Sequence, residues 1–166
     1  MSLYNVEENF LSEEEFNQLT TQTIYNHYFP LYLKHRVASA SSDDGIYFTH
    51  NFFFGGQACS DYYKHLLPIL LRIKPKKLLR VQLNLFPKTA EIVQHDWHTD
   101  MLWDHKGCIV YLNSNDGSTL LMEDDENAVS IRSISNRALF FNPGKLHCST
   151  TCTDSEFRSN IIFNYE

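Results

Sequence analysis

Short runs of alternating apolar and polar residues fill the second half of the 166-residue chain, and residues that favour turns separate them. In LLRVQLNLF, at 78–86, one face carries Leu79, Val81, Leu83 and Leu85 and the other carries Arg80, Gln82, Asn84 and Phe86. Seven further runs follow: EIVQHDWHTD, CIVYLN, STLLME, AVSIRSI, RALFFNP, KLHCST and FRSNIIFNY. Because a two-residue period is typical of strands, these eight short runs predict a β-sandwich or jelly roll.

Helix signals, in contrast, are confined to the first half of the chain. Ser12 and Glu15 form a predicted capping box at the start of a first helix, which Pro30 is expected to close. A second helix is expected to start after Ser60 and to run through DYYKHLLPILLRI, where Pro68 kinks or splits it. The predicted fold is therefore mainly β with N-terminal helices, a double-stranded β-helix (jelly roll) with the helices packed on one sheet.

The length and composition predict a single domain, because 166 residues of which 43% are hydrophobic can bury a core. Residues 1–77 are expected to form a helical N-terminal support together with an edge strand at IYFTHNFFFGG. Residues 78–166 are expected to form the jelly-roll core that carries the site.

Charge and targeting signals narrow the class of protein. A formal net charge of −6 argues against binding to nucleic acid. The N-terminal EENFLSEEEF is unlike a secretory signal, and no apolar run reaches membrane-spanning length. The 4 cysteines are scattered without a CxxC pair, which is typical of free thiols in a reducing compartment. We expect a soluble cytoplasmic protein that binds neither nucleic acid nor membranes.

A histidine and an aspartate two positions apart, His98 and Asp100, are the first candidates for chemistry. On a strand, residues i and i+2 point to the same side, so one imidazole nitrogen and one carboxylate oxygen could face the same ion. The spacing alone is equally typical of a polar pair at the end of a strand. His147, in NPGKLHCST, supplies a third ligand if the intervening strands are antiparallel. Two histidines and one carboxylate form the facial triad of non-haem Fe(II) oxygen chemistry.

Arg158, at the start of FRSNIIFNY, adds a candidate anion-binding group. A buried arginine is uncommon unless it is paired, and its planar fork suits a carboxylate. The charges of Fe(II), Asp100, a bound 2-oxo dicarboxylate and Arg158 cancel, and such a set can be desolvated without an unpaired charge.

The motif HTD at 98–100, followed by His147 and Arg158, resembles the HxD…H…R motif of the Fe(II)- and 2-oxoglutarate-dependent oxygenases. The resemblance covers about half the chain, from Leu79 onward, and is to the prolyl-4-hydroxylase-like branch of that superfamily. It includes the segments LNLFPKT, YLNSNDGST and SNRALFFNPGKLHCST. The sequence is also similar to small oxygenases carried by phages of marine bacteria.

The resemblance implies that His98, Asp100 and His147 are the catalytic ligands of Fe(II). It also implies that 2-oxoglutarate chelates the metal and that Arg158 binds its distal carboxylate, with Tyr111 as the hydroxyl partner of that carboxylate. The implied reaction consumes O2, converts 2-oxoglutarate to succinate and CO2, and hydroxylates a C–H bond of the substrate. The substrate would be a peptide or protein side chain, or a small metabolite.

Two departures from the family pattern leave roles open. Phe86 stands where the family commonly has a tyrosine, so the hydroxyl is missing, and Asn84 or Gln82 could donate to the cosubstrate instead. Asp116 stands where the first glycine of the family's glycine–threonine segment usually lies, while Gly117 and Thr119 are retained. Turn formation explains those two residues as well as a ligand contact does.

Other functions compete with the oxygenase interpretation. The main alternative is a cupin-like jelly roll that binds a metal or another ligand without oxygenase activity, because a fold does not fix a function. Arg158 argues against it. A structural jelly roll with incidental histidines is a second alternative, and a zinc hydrolase lacks an evident general base. Trp103 and His105, which follow the HxD motif, are candidates for a lid over the substrate mouth.

Overall fold

The computed structural model describes residues 3–35, 45–124 and 127–166. The helices in these ranges are α1 (Glu13–Gln22), a 3₁₀-helix (Asp61–Leu66) and α2 (Leu67–Ile73). The strands are β1 (Asn5–Glu7), β2 (Tyr32–Lys34), β3 (Tyr47–Phe54), β4 (Gln57–Ala58), β5 (Leu78–Pro87), β6 (Lys106–Tyr111), β7 (Ser118–Met122), β8 (Ala128–Arg132), β9 (Ala138–Phe141), β10 (His147–Ser149) and β11 (Phe157–Tyr165).

The strands form two antiparallel sheets. The large sheet has the order β1-β9-β6-β11-β5-β3-β2, with β4 paired to β3, and the small sheet has the order β10-β7-β8. A cluster of apolar residues from both sheets, including Ile109, Leu121 and Ile162, lies between them. The predicted β-sandwich arrangement is therefore confirmed, with β11 between β5 and β6 in the large sheet.

The helices cover the opposite face of the large sheet. Leu19 of α1 and Ile69 of α2 pack in one cluster with Val81, Leu83 and Phe163 of the sheet. The alternation predicted for β5 is thus confirmed, because its apolar face lies against the helices. Its other face carries Arg80, Gln82, Asn84 and Phe86 and looks into the space between the sheets.

Local signals in the first half of the chain mostly place the helices correctly. The capping box is formed: Ser12 N–H donates to Glu15 Oε2 at 2.8 Å, and Glu15 N–H donates to Ser12 Oγ at 3.3 Å. However, α1 ends at Gln22, well before Pro30. The second helical segment is split as predicted, and Pro68 lies in the first turn of α2, where its missing N–H breaks no helical hydrogen bond.

Two strand predictions need correction. EIVQHDWHTD forms no regular strand: its pairing with the segment around β10 consists of isolated bridges, Gln94 with Thr150 and His98 with His147. The strand predicted at IYFTHNFFFGG is β3, and it lies one position in from the edge because β2 pairs with its outer side. No helix among the described residues is long and apolar enough to cross a membrane, and the four cysteines are free.

Candidate functional site

A backbone bridge brings the two candidate histidines together. His98 N–H donates to His147 O at 2.9 Å, and His147 N–H donates to His98 O at 3.0 Å, so the two residues lie directly opposite each other. Their ring centroids are 4.6 Å apart. Asp100 is held next to them by its N–H, which donates to Pro143 O at 2.9 Å. These three backbone hydrogen bonds position His98 and Asp100, and the regular i, i+2 geometry expected of a strand does not.

The three predicted ligand side chains converge. One ligand atom from each of His98, Asp100 and His147 lies within 4.8 Å of the other two. His147 Nε2 is 4.0 Å from Asp100 Oδ1. Three cis ligands at about 2.1 Å from an ion are about 3 Å apart, so these side chains could close onto a cation with small movements.

Hydrogen bonds to the backbone fix the tautomers of both histidines. Nδ1 of His98 lies 3.0 Å from Asp96 O, and Nδ1 of His147 lies 2.9 Å from Lys145 O. A carbonyl oxygen only accepts, so each Nδ1 carries the proton and each Nε2 keeps its lone pair when the imidazole is neutral. This is the arrangement by which metal-binding histidines are oriented.

Charge at the site favours a cation. Burial lowers the pKa of His147 to about 4, against the opposing effect of Asp100, so its imidazole is neutral near pH 7. Burial alone would raise the pKa of Asp100, but the Arg80 guanidinium and the two histidines hold it below its usual range. Arg80 Nη2 lies 2.8 Å from Asp100 Oδ1. The carboxylate is therefore ionised and already paired with a positive charge.

A cavity of about 260 Å³ opens between the sheets beside these side chains. Its wall on β5 and β11 carries amides: Gln82 Nε2 donates to Asn84 Oδ1 at 2.5 Å, and Asn84 Nδ2 donates to Asn160 Oδ1 at 3.4 Å. Cys148 also lines the cavity. Burial raises the pKa of Cys148 to about 12, so it stays a neutral thiol. The donors at the site are thus nitrogen and oxygen.

Arg158 lies behind the other end of the cavity and is fully buried. Its Nη2 donates to Thr119 Oγ1 at 2.9 Å, and its guanidinium lies 5.6 Å from the Phe86 ring and 5.7 Å from the Tyr111 ring. Its Nε has no hydrogen-bond partner among the described residues. No carboxylate of the described residues forms an ion pair with it, so a buried cation is left without an anion.

Gly117 makes room for this arginine. A Cβ at Gly117 would lie 2.6 Å from Arg158 Cδ and 2.5 Å from the Thr151 carbonyl oxygen, closer than real Cβ contacts come. Packing thus requires glycine here, in addition to any role in the turn.

The remaining sequence-predicted residues lie at different depths. Asn84 lines the cavity. Tyr111 is fully buried, and its hydroxyl donates to Thr119 Oγ1 at 2.9 Å, so it reaches the cavity wall through Thr119. Trp103 is exposed, but His105 is buried and its Nε2 lies 2.9 Å from Asn164 Oδ1. Because its ring is enclosed, His105 belongs to the packed interior next to β11 and is not part of a lid.

Two residues of the site, Arg80 and Tyr47, were missed by sequence reasoning, and for Thr119 the sequence left a turn role and a ligand contact equally open. Arg80 lies on the polar face of β5 together with Gln82, and that pattern was available as a signal. Thr119 lines the cavity next to Arg158 and is more than a turn residue. Tyr47 comes from β3, and no local pattern connects it with the site.

Tyr47 lies next to Phe86, the residue that stands where the resembling family commonly has a tyrosine hydroxyl. Its ring stacks on Phe86 with centroids 5.4 Å apart and an interplanar angle of 12°. Burial raises the pKa of Tyr47, while Arg80 lowers it and Asp100 raises it, so its hydroxyl lies within the field of both charges. A phenol is thus present at this wall although Phe86 has none.

Comparison with solved structures identifies the fold. An oxidoreductase of the 2OG-Fe(II) oxygenase family from Burkholderia pseudomallei aligns with 99% of this chain and 85% of its own, with a TM-score of 0.77 and 9% identity. A Pseudomonas putida prolyl-4-hydroxylase aligns over 99% and 92%, with a TM-score of 0.65 and 14% identity. HygX from Streptomyces hygroscopicus, solved with nickel, 2-oxoglutarate and hygromycin B bound, aligns over 99% and 82%, with a TM-score of 0.65 and 12% identity.

The structural neighbours are thus 2OG-Fe(II) oxygenases, prolyl-4-hydroxylases among them, and the chain has their double-stranded β-helix fold. The resemblance noted in the sequence is confirmed at the level of fold. No protein-family model matches the sequence, and no curated protein matches it.

Proposed function

We propose that the protein is an Fe(II)- and 2-oxoglutarate-dependent dioxygenase that hydroxylates its substrate and converts 2-oxoglutarate to succinate and CO2. The observation that carries the proposal is the convergence of His98, Asp100 and His147 on one point. The fold shared with 2OG-Fe(II) oxygenases supports it.

The donor set fits Fe(II). Two imidazoles whose Nδ1 atoms face backbone carbonyls and one ionised carboxylate would form a facial triad for Fe(II). When bound, the iron and 2-oxoglutarate supply the oxygen chemistry, and the protein supplies binding and orientation. His98 and His147 would hold the metal through Nε2, and Asp100 would hold it through a carboxylate oxygen.

The cosubstrate's distal carboxylate would be bound at the Arg158 end. A fully buried guanidinium without an anion is costly, and a dicarboxylate bound to the metal could extend toward it and supply that anion. Thr119 Oγ1 accepts from both Tyr111 and Arg158, so its own hydrogen is free to be donated into the cavity. We assign the distal carboxylate to Arg158 and Thr119, with Tyr111 orienting the threonine hydroxyl.

The wall between the two ends would contact the middle of the cosubstrate. Asn84 lies on this wall with its amide linked to Gln82 and Asn160. Tyr47 adds a hydroxyl on the side of Asp100. We propose that Asn84 and Tyr47 together replace the hydroxyl that Phe86 lacks.

The first experiment is spectroscopic and anaerobic. Fe(II) and 2-oxoglutarate are added to the purified protein, and the weak visible charge-transfer band of their chelate is recorded. We expect the band in the wild type and in His27→Ala, whose histidine is exposed and far from the triad in sequence. We expect no band in His147→Ala. A folded, metal-free wild type that gives no band would refute the proposal and favour the cupin-like alternative, in which a metal or ligand binds without oxygenase activity.

A further inference from the structure

Arg80 is a second cation in the cavity, and binding of the cosubstrate does not account for it. Its side chain is 24% exposed and lines the cavity, whereas Arg158 is fully buried. One of its donors is paired with Asp100, and its Nε has no partner among the described residues. An arginine has five N–H donors, so this guanidinium can bind a further acceptor.

The two arginines lie at opposite ends of the site. Phe86, which contacts Arg158, is six residues from Arg80 along β5, so the backbone positions of these two β5 residues are about 20 Å apart at about 3.3 Å per residue. Arg80 instead contacts the metal-ligand candidate Asp100. A cosubstrate that runs from the metal toward Arg158 therefore extends away from Arg80.

The charges of the assembled site do not cancel once Arg80 is counted. Fe(II) and 2-oxoglutarate neutralise each other, and Asp100 neutralises one of the two arginines. One positive charge remains. A partly buried charge of this kind is stabilised by an opposite charge with good hydrogen-bonding geometry, and a guanidinium fork matches a carboxylate.

We propose that Arg80 binds a carboxylate of the primary substrate and that this substrate is a small carboxylic acid with one net negative charge. The inference rests on the proposed function and deepens it. A cavity of about 260 Å³ that also holds the cosubstrate leaves room for a small molecule. The net charge of −6 disfavours an acidic polymer as the source of the carboxylate.

The arrangement gives Arg80 a role in positioning the reaction. The same guanidinium would contact Asp100 on the metal and the carboxylate of the substrate. It would therefore fix the distance between the metal and the carbon atoms near that carboxylate, which is how orientation accelerates a reaction between bound groups.

The test uses the protein loaded with Ni(II) and 2-oxoglutarate, so that binding is measured without turnover. A panel of small amino, hydroxy and aliphatic carboxylic acids is titrated calorimetrically, each beside its own neutral carboxamide. We expect at least one acid to bind the wild type about tenfold or more tightly than its amide, since hydrogen bonds to charged groups are worth about that factor. In Arg80→Gln that preference is expected to fall to about one.

Two further variants separate this role from an indirect one. Lys88→Gln removes an equal charge at an exposed position just after β5 and is expected to keep the preference. Arg80→Lys keeps the charge but lacks the fork, and an intermediate preference is expected. The preference is a ratio within each variant, so a general change in metal affinity does not alter it.

The outcomes that overturn the inference are distinct. If no acid is preferred over its amide by the loaded wild type, or if Arg80→Gln keeps the preference, Arg80 does not bind a substrate carboxylate. If acidic peptides bind with this preference and small acids do not, the carboxylate that Arg80 binds belongs to a peptide. The proposed class of substrate is then wrong. Failure of the wild type to bind Ni(II) and 2-oxoglutarate would instead refute the proposed function.

Discussion

The two ends of the cavity each carry an arginine, but they are built differently. At one end Arg158 is sealed between two aromatic rings and donates to Thr119. At the other end Arg80 is partly exposed and shares Asp100 with the candidate metal site. At the sealed end, packing between the sheets holds Arg158 in place. At the open end, Arg80 is held by its ion pair with Asp100, which a bound ligand can rearrange. We expect the sealed end to set affinity for the cosubstrate and the open end to set the choice of substrate.

The largest effect is expected at the sealed end. Arg158→Met should weaken 2-oxoglutarate binding by about 100-fold, because a charge-assisted, buried contact is lost. The same change should leave the unfolding temperature of the metal-free protein unchanged or higher, since it replaces a buried, unpaired cation with an apolar side chain of similar size. Calorimetric titration and thermal unfolding measure the two effects. A fall in stability together with unchanged cosubstrate affinity would show that Arg158 is structural.

A second effect, close to the first in free energy, concerns the pH dependence of stability and locates the titrating groups at the open end. The folded pKa of His147, about 4, lies below its unfolded value of 6.5, so its contribution to stability is complete above pH 6.5 and is lost as the pH falls toward 4. The metal-free protein should lose roughly 3 kcal/mol of unfolding free energy across that window. The lowered pKa of Asp100 places its own titration below its usual range.

Urea unfolding at several pH values measures this dependence. His147→Gln should flatten it, whereas His27→Gln, at an exposed histidine, should not. An equally steep dependence in His147→Gln would place the titrating group elsewhere.

The smallest effect is expected at the cavity wall between the two arginine ends, where Tyr47 and Phe86 lie. Tyr47→Phe should weaken binding of 2-oxoglutarate by roughly threefold, the value of one neutral hydrogen bond. Phe86→Tyr in that background should restore part of the loss, because the two rings are stacked at one wall. Calorimetric titration of the single and double variants measures both changes. If Tyr47→Phe binds like the wild type, the hydroxyl of Tyr47 has no part in cosubstrate binding.

Most of the architecture could be predicted from the sequence because its signals are local. The alternation in β5 and the capping box at Ser12 depend only on neighbouring residues, and both were confirmed. The convergence of His98, Asp100 and His147 could be predicted because antiparallel strands return the chain to the same edge.

The errors arose where pairing partners decide the structure. The residues around His98 alternate like a strand, yet they form isolated bridges and not a continuous strand pairing. Tyr47 reaches the site through pairing of β3 with β5, a contact between segments far apart in sequence. A single sequence contains no local signal for such contacts.

The position of β11 has a consequence for synthesis of the protein. β11 joins β5 on one side and β6 on the other. Before β11 leaves the ribosome, the large sheet can exist only as two separate parts, β2-β3-β5 with β4 and β1-β9-β6. Each part then presents an unpaired strand edge, which is prone to aggregation. β11 also carries Arg158, so the sheet becomes continuous in the same step that completes the proposed cosubstrate site.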